Sequence, residues 1–169
     1  VVLTFDEVQS GFGRTGKFWA FEHYGVVPDL ICCGKGISSS MPLSAVIGGQ
    51  DIMDQFPPGS MTSTHSGNPV CCAAALANIR KILREDLTGN AARLGPVLHE
   101  GCLAVQRKYP DLVGHVTCAG YVAGLQTVKR GTRQPDHDLA HRVIELSYQK
   151  GLLMFAPVGA WGQTVKICP

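Results

Sequence analysis

Two short apolar runs, each ending at a functional side chain, constrain the fold of this chain most. Residues 1–5 are apolar and β-branched and are followed by Asp6, and residues 28–33 are followed by Gly34 and Lys35. Runs of this length and composition are typical of strands that a parallel sheet buries on both faces. In open α/β sheets, ligands collect outside the carboxyl ends of the strands. We therefore expect Asp6 and Lys35 to reach one shared crevice.

Lys35 stands between two glycines, and no other charged residue follows it until Asp51. A lysine amine becomes a nucleophile when desolvation or a neighbouring cation activates it, and flanking glycines let a cofactor approach closely. Pyridoxal phosphate requires one lysine that binds its aldehyde and one carboxylate on its ring nitrogen. Lys35 and Asp6 are residues of these two types, so the sequence predicts a pyridoxal phosphate site.

Four separated stretches carry a family resemblance that extends over the whole chain. They are residues 5–16 (FDEVQSGFGRTG), residues 28–46 (with PDLICCGKG and PLSAV), residues 64–69 (THSGNP) before an alanine-rich helix, and the pair 150–153 and 165–169. They resemble the acidic cofactor motif, the lysine motif, the phosphate-binding turn and the closing strands of class III pyridoxal-phosphate aminotransferases. The resemblance implies an α/β fold of type I, with a mixed-sheet cofactor domain followed by a smaller α+β domain.

The same resemblance implies a role for each site residue. Lys35 would form the Schiff base, Asp6 would bind the ring nitrogen, Val8 would pack on the ring face and Gln9 would hydrogen-bond near the phenolic oxygen. Thr64 would contact the phosphate of the neighbouring subunit's cofactor, because family members are homodimers with shared active sites. A hydroxyl and backbone amides in a turn before a helix also suit a phosphate group.

The implied activity is transamination, in which an amino group moves from an amine or amino acid to an oxo acid. Lys35 would serve as the general base at the substrate carbon. One alternative is a racemase, epimerase or decarboxylase on the same scaffold. Another is an inactive, truncated homologue that acts as an oligomerisation module. Many members carry an arginine near Lys166, and a lysine there offers only a point charge to a substrate carboxylate, which leaves a dicarboxylate cosubstrate open.

The order of predicted elements divides the chain into two domains. Residues 1–84 are expected to be the carboxyl-side part of the cofactor domain, and residues 85–169 a linking helix and an incomplete small domain. In the second part we predict a helix from Leu94 to Tyr109, strands at 112–116 and 121–128, a helix at 136–150, and strands at Leu152 and Val165. With 169 residues the chain is much shorter than family members. We expect it to be a fragment, whose activity in isolation stays open.

Other function classes receive little support from the composition. The formal net charge is +2 and the basic residues form no tract, which argues against nucleic-acid binding. The apolar stretches are shorter than a membrane span, and we expect a cytoplasmic protein. The seven cysteines include adjacent pairs at 32–33 and 71–72 that lack zinc-site spacing, so buried, reduced thiols are expected.

A possible metal face on a predicted helix is also rejected. His137 and His141 stand four residues apart beside Asp136 and Asp138. This spacing could place two imidazoles on one helical face, but no further cluster completes a metal site. Asp136 or Asp138 is better explained as the helix cap, and no metal site is predicted.

Overall fold

Strands and helices alternate in two units of the chain, Val1–Asn90 and Ala91–Pro169. They are seen in a computed structural model that describes residues 1–60 and 62–169. The assignment of residues 1–84 and 85–169 to a cofactor domain and a small domain stays a prediction, because a division of the backbone does not say which part binds a cofactor.

The first unit contains a three-stranded mixed sheet, as the resemblance implies. Its strands are β1 (Thr4–Asp6), β2 (Leu30–Cys33) and β3 (Ala45–Gly48), in the order β1-β2-β3. β1 pairs in parallel with β2 so that Asp6 lies opposite Cys32, and β2 pairs antiparallel with β3. The carboxyl ends of β1 and β2 therefore lie at the same end of the sheet.

The predicted burial of the first strand was wrong. β1 begins at Thr4, Thr4 and Asp6 are exposed and only Phe5 is half-buried, while residues 1–3 are exposed. β1 is the edge strand of the described sheet, so only one of its sides is paired. Phe5 instead packs edge-on against Phe21, with ring centroids 6.0 Å apart.

Before Leu87, the described residues of the first unit form two short 3₁₀ helices, a single α-helical turn and one long helix. They are the 3₁₀ helices Ala20–Tyr24 and Lys35–Ile37, then α1 (Gln50–Met53) and α2 (Pro69–Arg84). α2 begins where its sequence predicts, since Asn68 accepts hydrogen bonds from two backbone amides and proline occupies the first helical position. The buried core consists of Phe12, Cys33, Ile37, Ala75 and Ile82.

In the second unit, helices accompany an antiparallel three-stranded sheet. The elements are α3 (Leu87–Lys108, which crosses the unit boundary), β4 (Val113–Ala119), β5 (Val122–Thr127), α4 (His137–Gln149) and β6 (Thr164–Ile167), with sheet order β4-β5-β6. The predicted strands at 112–116, 121–128 and Val165 and the helix at 136–150 are confirmed. The buried core consists of Cys102, Val113, Val116, Ala123 and Leu125.

Two boundaries in the second part of the chain differ from prediction. The helix expected from Leu94 begins at Leu87, where Asp86 accepts a hydrogen bond from the Gly89 amide at 3.0 Å. No strand forms at Leu152, because its amide donates back to the Ser147 carbonyl at 2.9 Å and so completes the turn that ends α4. Within residues 1–60 and 62–169, no helix is long and apolar enough to cross a membrane.

The cysteines only partly follow the expectation of buried thiols. All seven lie in the described part of the chain and are free; Cys33, Cys71 and Cys102 are buried, whereas Cys72 is exposed. Cys72 differs from its neighbour because successive residues of a helix point about 100° apart, which turns it away from the buried stripe of α2.

Candidate active site

Asp6 ends β1 and Lys35 closely follows β2, so both residues lie at the same end of the sheet. Asp6 is the last residue of β1, and its partner across the ladder is Cys32, three positions before Lys35. Both side chains are exposed. The fold thus brings the predicted carboxylate and amine to a common end of the sheet.

The turn that carries Lys35 has an unusual backbone. Lys35 has a φ of +37°, in the left-handed region that residues with side chains rarely occupy. The Ile37 amide donates to the Gly34 carbonyl at 3.0 Å, which closes the turn. Asn78 of α2 donates through Nδ2 to the Gly36 carbonyl at 2.7 Å and to the Ile37 carbonyl at 3.3 Å. A side chain 41 or 42 residues away therefore secures the turn.

Of the two glycines that flank Lys35, Gly36 is the one whose missing side chain lets the lysine turn pack closely on the acidic motif. A Cβ built on Gly34 would lie 3.6 Å from Cγ1 of Val8, and one built on Gly36 would lie 3.3 Å from Cβ of Phe12. The Gly34 position would make an ordinary contact, whereas the Gly36 position is tighter than most. Val8, predicted to pack on a cofactor ring, thus lies beside the residue that precedes Lys35.

Glu7 and Asp6 are adjacent acids with opposite surroundings. Asp6 is exposed and its Oδ1 accepts from the Val8 amide at 3.0 Å, whereas Glu7 has 0% exposure. Oε2 of Glu7 accepts from the Ser10 hydroxyl at 2.5 Å, and Oε1 accepts from the Phe21 amide at 2.8 Å. Glu7 directly follows β1, and its amide continues the pairing with β2 by donating to the Cys32 carbonyl at 2.8 Å. The two side chains therefore take the alternating directions of extended backbone.

Gln9 and Thr64, the remaining predicted site residues, are both exposed. Thr64 lies in the turn before α2, where the Ser66 amide donates to the Ser63 carbonyl at 3.0 Å. This turn is linked to the lysine turn through α2, the helix that carries Asn78. The contact between Thr64 and a cofactor held by another subunit stays a prediction.

Sequence reasoning missed Glu7 and Asn78. Glu7 has the same strand parity as the half-buried Phe5, which could have indicated that it points inward. Asn78 falls within the helical stripe that includes the buried residues Ala75 and Ile82. A polar residue in such a stripe requires a hydrogen-bond partner, although the sequence does not identify it.

Cys33 lies two positions before Lys35 and is a poor candidate nucleophile. Burial raises the pKa of its thiol and outweighs the lowering effect of the Ala45 backbone. The thiolate, which is the nucleophilic form, is therefore disfavoured. Cys33 contributes to the core, and Lys35 remains the candidate nucleophile.

The histidine pair on α4 is arranged without a metal cluster. Asp136 caps the helix by accepting from the Leu139 amide at 2.9 Å, which selects it over Asp138 as the cap. The rings of His137 and His141 lie 5.3 Å apart. In the described part of the chain, no three histidine, cysteine, aspartate or glutamate residues group closely enough to hold a metal ion.

The chemistry of the site fits pyridoxal phosphate. An exposed amine and an exposed carboxylate lie at one end of the sheet, an apolar side chain packs between their motifs, and an exposed amide follows at Gln9. The amine suits an aldehyde and the carboxylate suits a ring nitrogen. The apolar side chain suits a ring face, and the amide suits a phenolic oxygen.

Comparison with known proteins identifies the family. The sequence model of the class-III aminotransferases matches residues 1–169. The chain belongs to the class III aminotransferases. These are pyridoxal-phosphate-dependent enzymes, and the predicted fold of type I is confirmed by structures of such enzymes that resemble this one.

Two relatives illustrate the range of activities around this chain. It is 37% identical over 169 residues to a 4-aminobutyrate aminotransferase of Mycobacterium leprae, covering 100% of this chain and 37% of that protein. It is 41% identical over 155 residues to a leucine/methionine racemase of Thermococcus litoralis, covering 91% of this chain and 35% of the racemase.

Solved structures show the same breadth. An Arthrobacter phospholyase in complex with phosphoethanolamine has a TM-score of 0.88 and 33% identity. The match covers 99% of this chain and 40% of the phospholyase chain. The taurine:2-oxoglutarate aminotransferase of Bifidobacterium kashiwanohense, in complex with pyridoxal phosphate and glutamate, has a TM-score of 0.88 and 27% identity, covering 100% and 39%. The chain spans about two fifths of the length of such relatives.

Proposed function

We propose that this class III aminotransferase chain carries the lysine and the acid of a pyridoxal phosphate site and takes part in transamination. The observation that carries the proposal is the position of Asp6 and Lys35 at the carboxyl ends of two paired parallel strands, Asp6 as the last residue of β1 and Lys35 two positions after β2. The reaction would move an amino group from an amine or amino acid to an oxo acid.

Each residue has a distinct part in the proposed reaction. Bound pyridoxal phosphate supplies an electrophilic aldehyde carbon and a ring that accepts electron density. Lys35 would hold that carbon through Nζ and would serve as the general base that removes a proton from the substrate carbon. Asp6 keeps a proton on the ring nitrogen. Val8 packs on the ring and Gln9 hydrogen-bonds near the phenolic oxygen.

The names of the relatives favour amino donors whose amine lies at the end of a short chain opposite an acidic group. The aminotransferases named for 4-aminobutyrate, 5-aminovalerate and taurine all share this substrate chemistry. The proposal also includes a homodimer with shared active sites, in which Thr64 contacts the phosphate of the neighbouring subunit's cofactor. It further includes a cytoplasmic location.

Racemisation is the second candidate, because the relative with 41% identity is a leucine/methionine racemase. Product analysis separates the two reactions. Transamination forms one new oxo acid for each amine consumed, whereas racemisation changes only the optical rotation of the amino acid. Phosphate release from phosphoethanolamine would instead indicate phospholyase chemistry of the kind named for the Arthrobacter structure.

The primary experiment locates the cofactor. The full-length native protein is mixed with pyridoxal phosphate, reduced with borohydride and digested. The labelled peptide is then identified by mass spectrometry. We expect the label on Lys35, and its loss in Lys35→Ala. Lys17→Ala, which removes another exposed lysine of the same unit, is the matched control and should retain the label. A label that persists in Lys35→Ala would exclude the proposed site.

A further inference from the structure

Glu7 is a buried carboxylic acid that the proposed reaction does not use. Its exposure is 0%, and with Cys33 it is one of the largest fully buried side chains in the described part of the chain. Carboxylates are almost never fully buried unless their oxygens are satisfied, because desolvation of the charge is costly. A glutamate in this position therefore needs a reason beyond filling space.

The four hydrogen bonds of Glu7 reach three parts of the first unit, which are the turn at Ser10 and Gly11, the 3₁₀ helix at Phe21 and β2 at Cys32. Its side chain accepts from the Ser10 hydroxyl at 2.5 Å and from the Phe21 amide of the 3₁₀ helix at 2.8 Å. Its amide donates to the Cys32 carbonyl of β2 at 2.8 Å, and its carbonyl accepts from the Gly11 amide at 3.0 Å. The backbone on the carboxyl side of Asp6 is thereby held by four hydrogen bonds at Glu7.

Asp6 depends on that fixed backbone. Its own side chain is exposed and is bonded at Oδ1 by the Val8 amide, the residue that follows Glu7. An exposed carboxylate has rotamer freedom, and a functional group must be held within about 0.5 Å of its productive position by its supporting residues. Glu7, which directly follows β1, supplies this support while Asp6 stays exposed.

We propose that Glu7 is a positioning residue that fixes the Asp6 carboxylate for the cofactor's ring nitrogen. The inference rests on the proposed function, since it needs a ring nitrogen for Asp6 to meet. Glu7 acts through its hydrogen bonds to Ser10 and Phe21. Glutamine can keep both bonds, because its carbonyl oxygen accepts from the Phe21 amide and its amide can donate to the Ser10 hydroxyl.

The test is a pH titration that follows the visible absorbance of pyridoxal phosphate bound to the full-length native protein. Asp6→Asn sets the direction of change expected when the ring nitrogen loses its carboxylate. We expect Glu7→Ala to move the titration midpoint in that direction and to weaken cofactor retention about ten-fold, as loss of a hydrogen bond to a charged group does. Glu7→Gln should restore both to near wild-type values.

Two further variants keep the test decisive. Ser10→Ala removes one bond of Glu7 and should give a smaller change of the same sign, which decides the matter if Glu7→Ala does not fold. Glu22→Ala is the matched control, because Glu22 is an exposed carboxylate that caps the same 3₁₀ helix through the Trp19 amide at 2.7 Å. It should leave the titration unchanged.

The outcomes separate the inference from the proposed function. A wild-type titration in Glu7→Ala, or in Ser10→Ala when the former does not fold, would reduce Glu7 to a fold anchor and overturn the inference. A Glu7→Gln variant as impaired as Glu7→Ala would also overturn it, because charge rather than bonding would then be required. A wild-type protein that takes up no pyridoxal phosphate would refute the proposed function, and the inference with it.

Discussion

Replacement of Asn78 by alanine should loosen the lysine turn without touching Lys35 itself. The Asn78 Nδ2 group donates to the carbonyls of Gly36 and Ile37, at 2.7 and 3.3 Å. The turn also contains Lys35 in a left-handed conformation, with a φ of +37°. A non-glycine residue in that conformation costs about 1–2 kcal/mol, so the turn needs support from outside to hold its shape.

The size of the effect follows from the two bonds. A hydrogen bond of this kind contributes about 1 kcal/mol net, and the longer bond to Ile37 contributes less than the bond to Gly36. Alanine should therefore lower the free energy of opening the turn by about 1.5 kcal/mol, close to a ten-fold change in its equilibrium constant. Asn78→Asp should lower it further, because a carboxylate oxygen would face two carbonyl oxygens.

Hydrogen exchange measures this opening directly. The Ile37 amide, which donates to the Gly34 carbonyl at 3.0 Å, should exchange about ten-fold faster in Asn78→Ala. The matched control is Gln55→Ala, which removes an amide that donates to a backbone carbonyl, that of Asp51, at 2.8 Å. It should leave Ile37 unchanged. Equal exchange at Ile37 in wild type and Asn78→Ala would show that the turn holds its shape without α2.

Two further predictions concern other parts of the chain. Asp136→Ala should cost about 1 kcal/mol in urea unfolding by removing the cap of α4, whereas Asp138→Ala should cost only a few tenths. Hydrogen bonds from Lys81 and then Arg84 hold the pKa of Glu85 below its ordinary value. Any stability that Glu85 adds is therefore present above its unfolded pKa and lost as pH falls through the lower folded value. An NMR titration should show the Glu85 pKa rising in Lys81→Met; an unchanged pKa would discount that bond.

The positions of Asp6 and Lys35 could be predicted because the signals are local. Each residue ends or follows a short apolar run, and parallel pairing of the two strands brings their carboxyl ends together. The sequence does not show in the same way whether Asp6 or Glu7 points outward. Residues 1–5 show no alternation of apolar and polar side chains, so the sequence does not reveal which face Asp6 occupies.

The failed strand prediction at Leu152 has a different cause. The run 152–156 is apolar enough for a strand, but Gly151 has a φ of +85° and the Leu152 amide is already bonded to the end of α4. A backbone group used to finish a helix is not free to pair in a sheet. Hydrophobicity alone cannot separate these two uses of the same amide.

The support of the site is separate from its reactive groups. Lys35 and Asp6 are exposed, while the residues that fix their neighbours, Asn78 and Glu7, are partly or fully buried. Exposed side chains contribute little to folding, whereas buried polar groups are costly when their partners are lost. Substitution of Lys35 or Asp6 should therefore impair chemistry at little cost in stability, and substitution of Glu7 should impair both. In the proposed site, the geometry would thus depend on residues other than the two reactive ones.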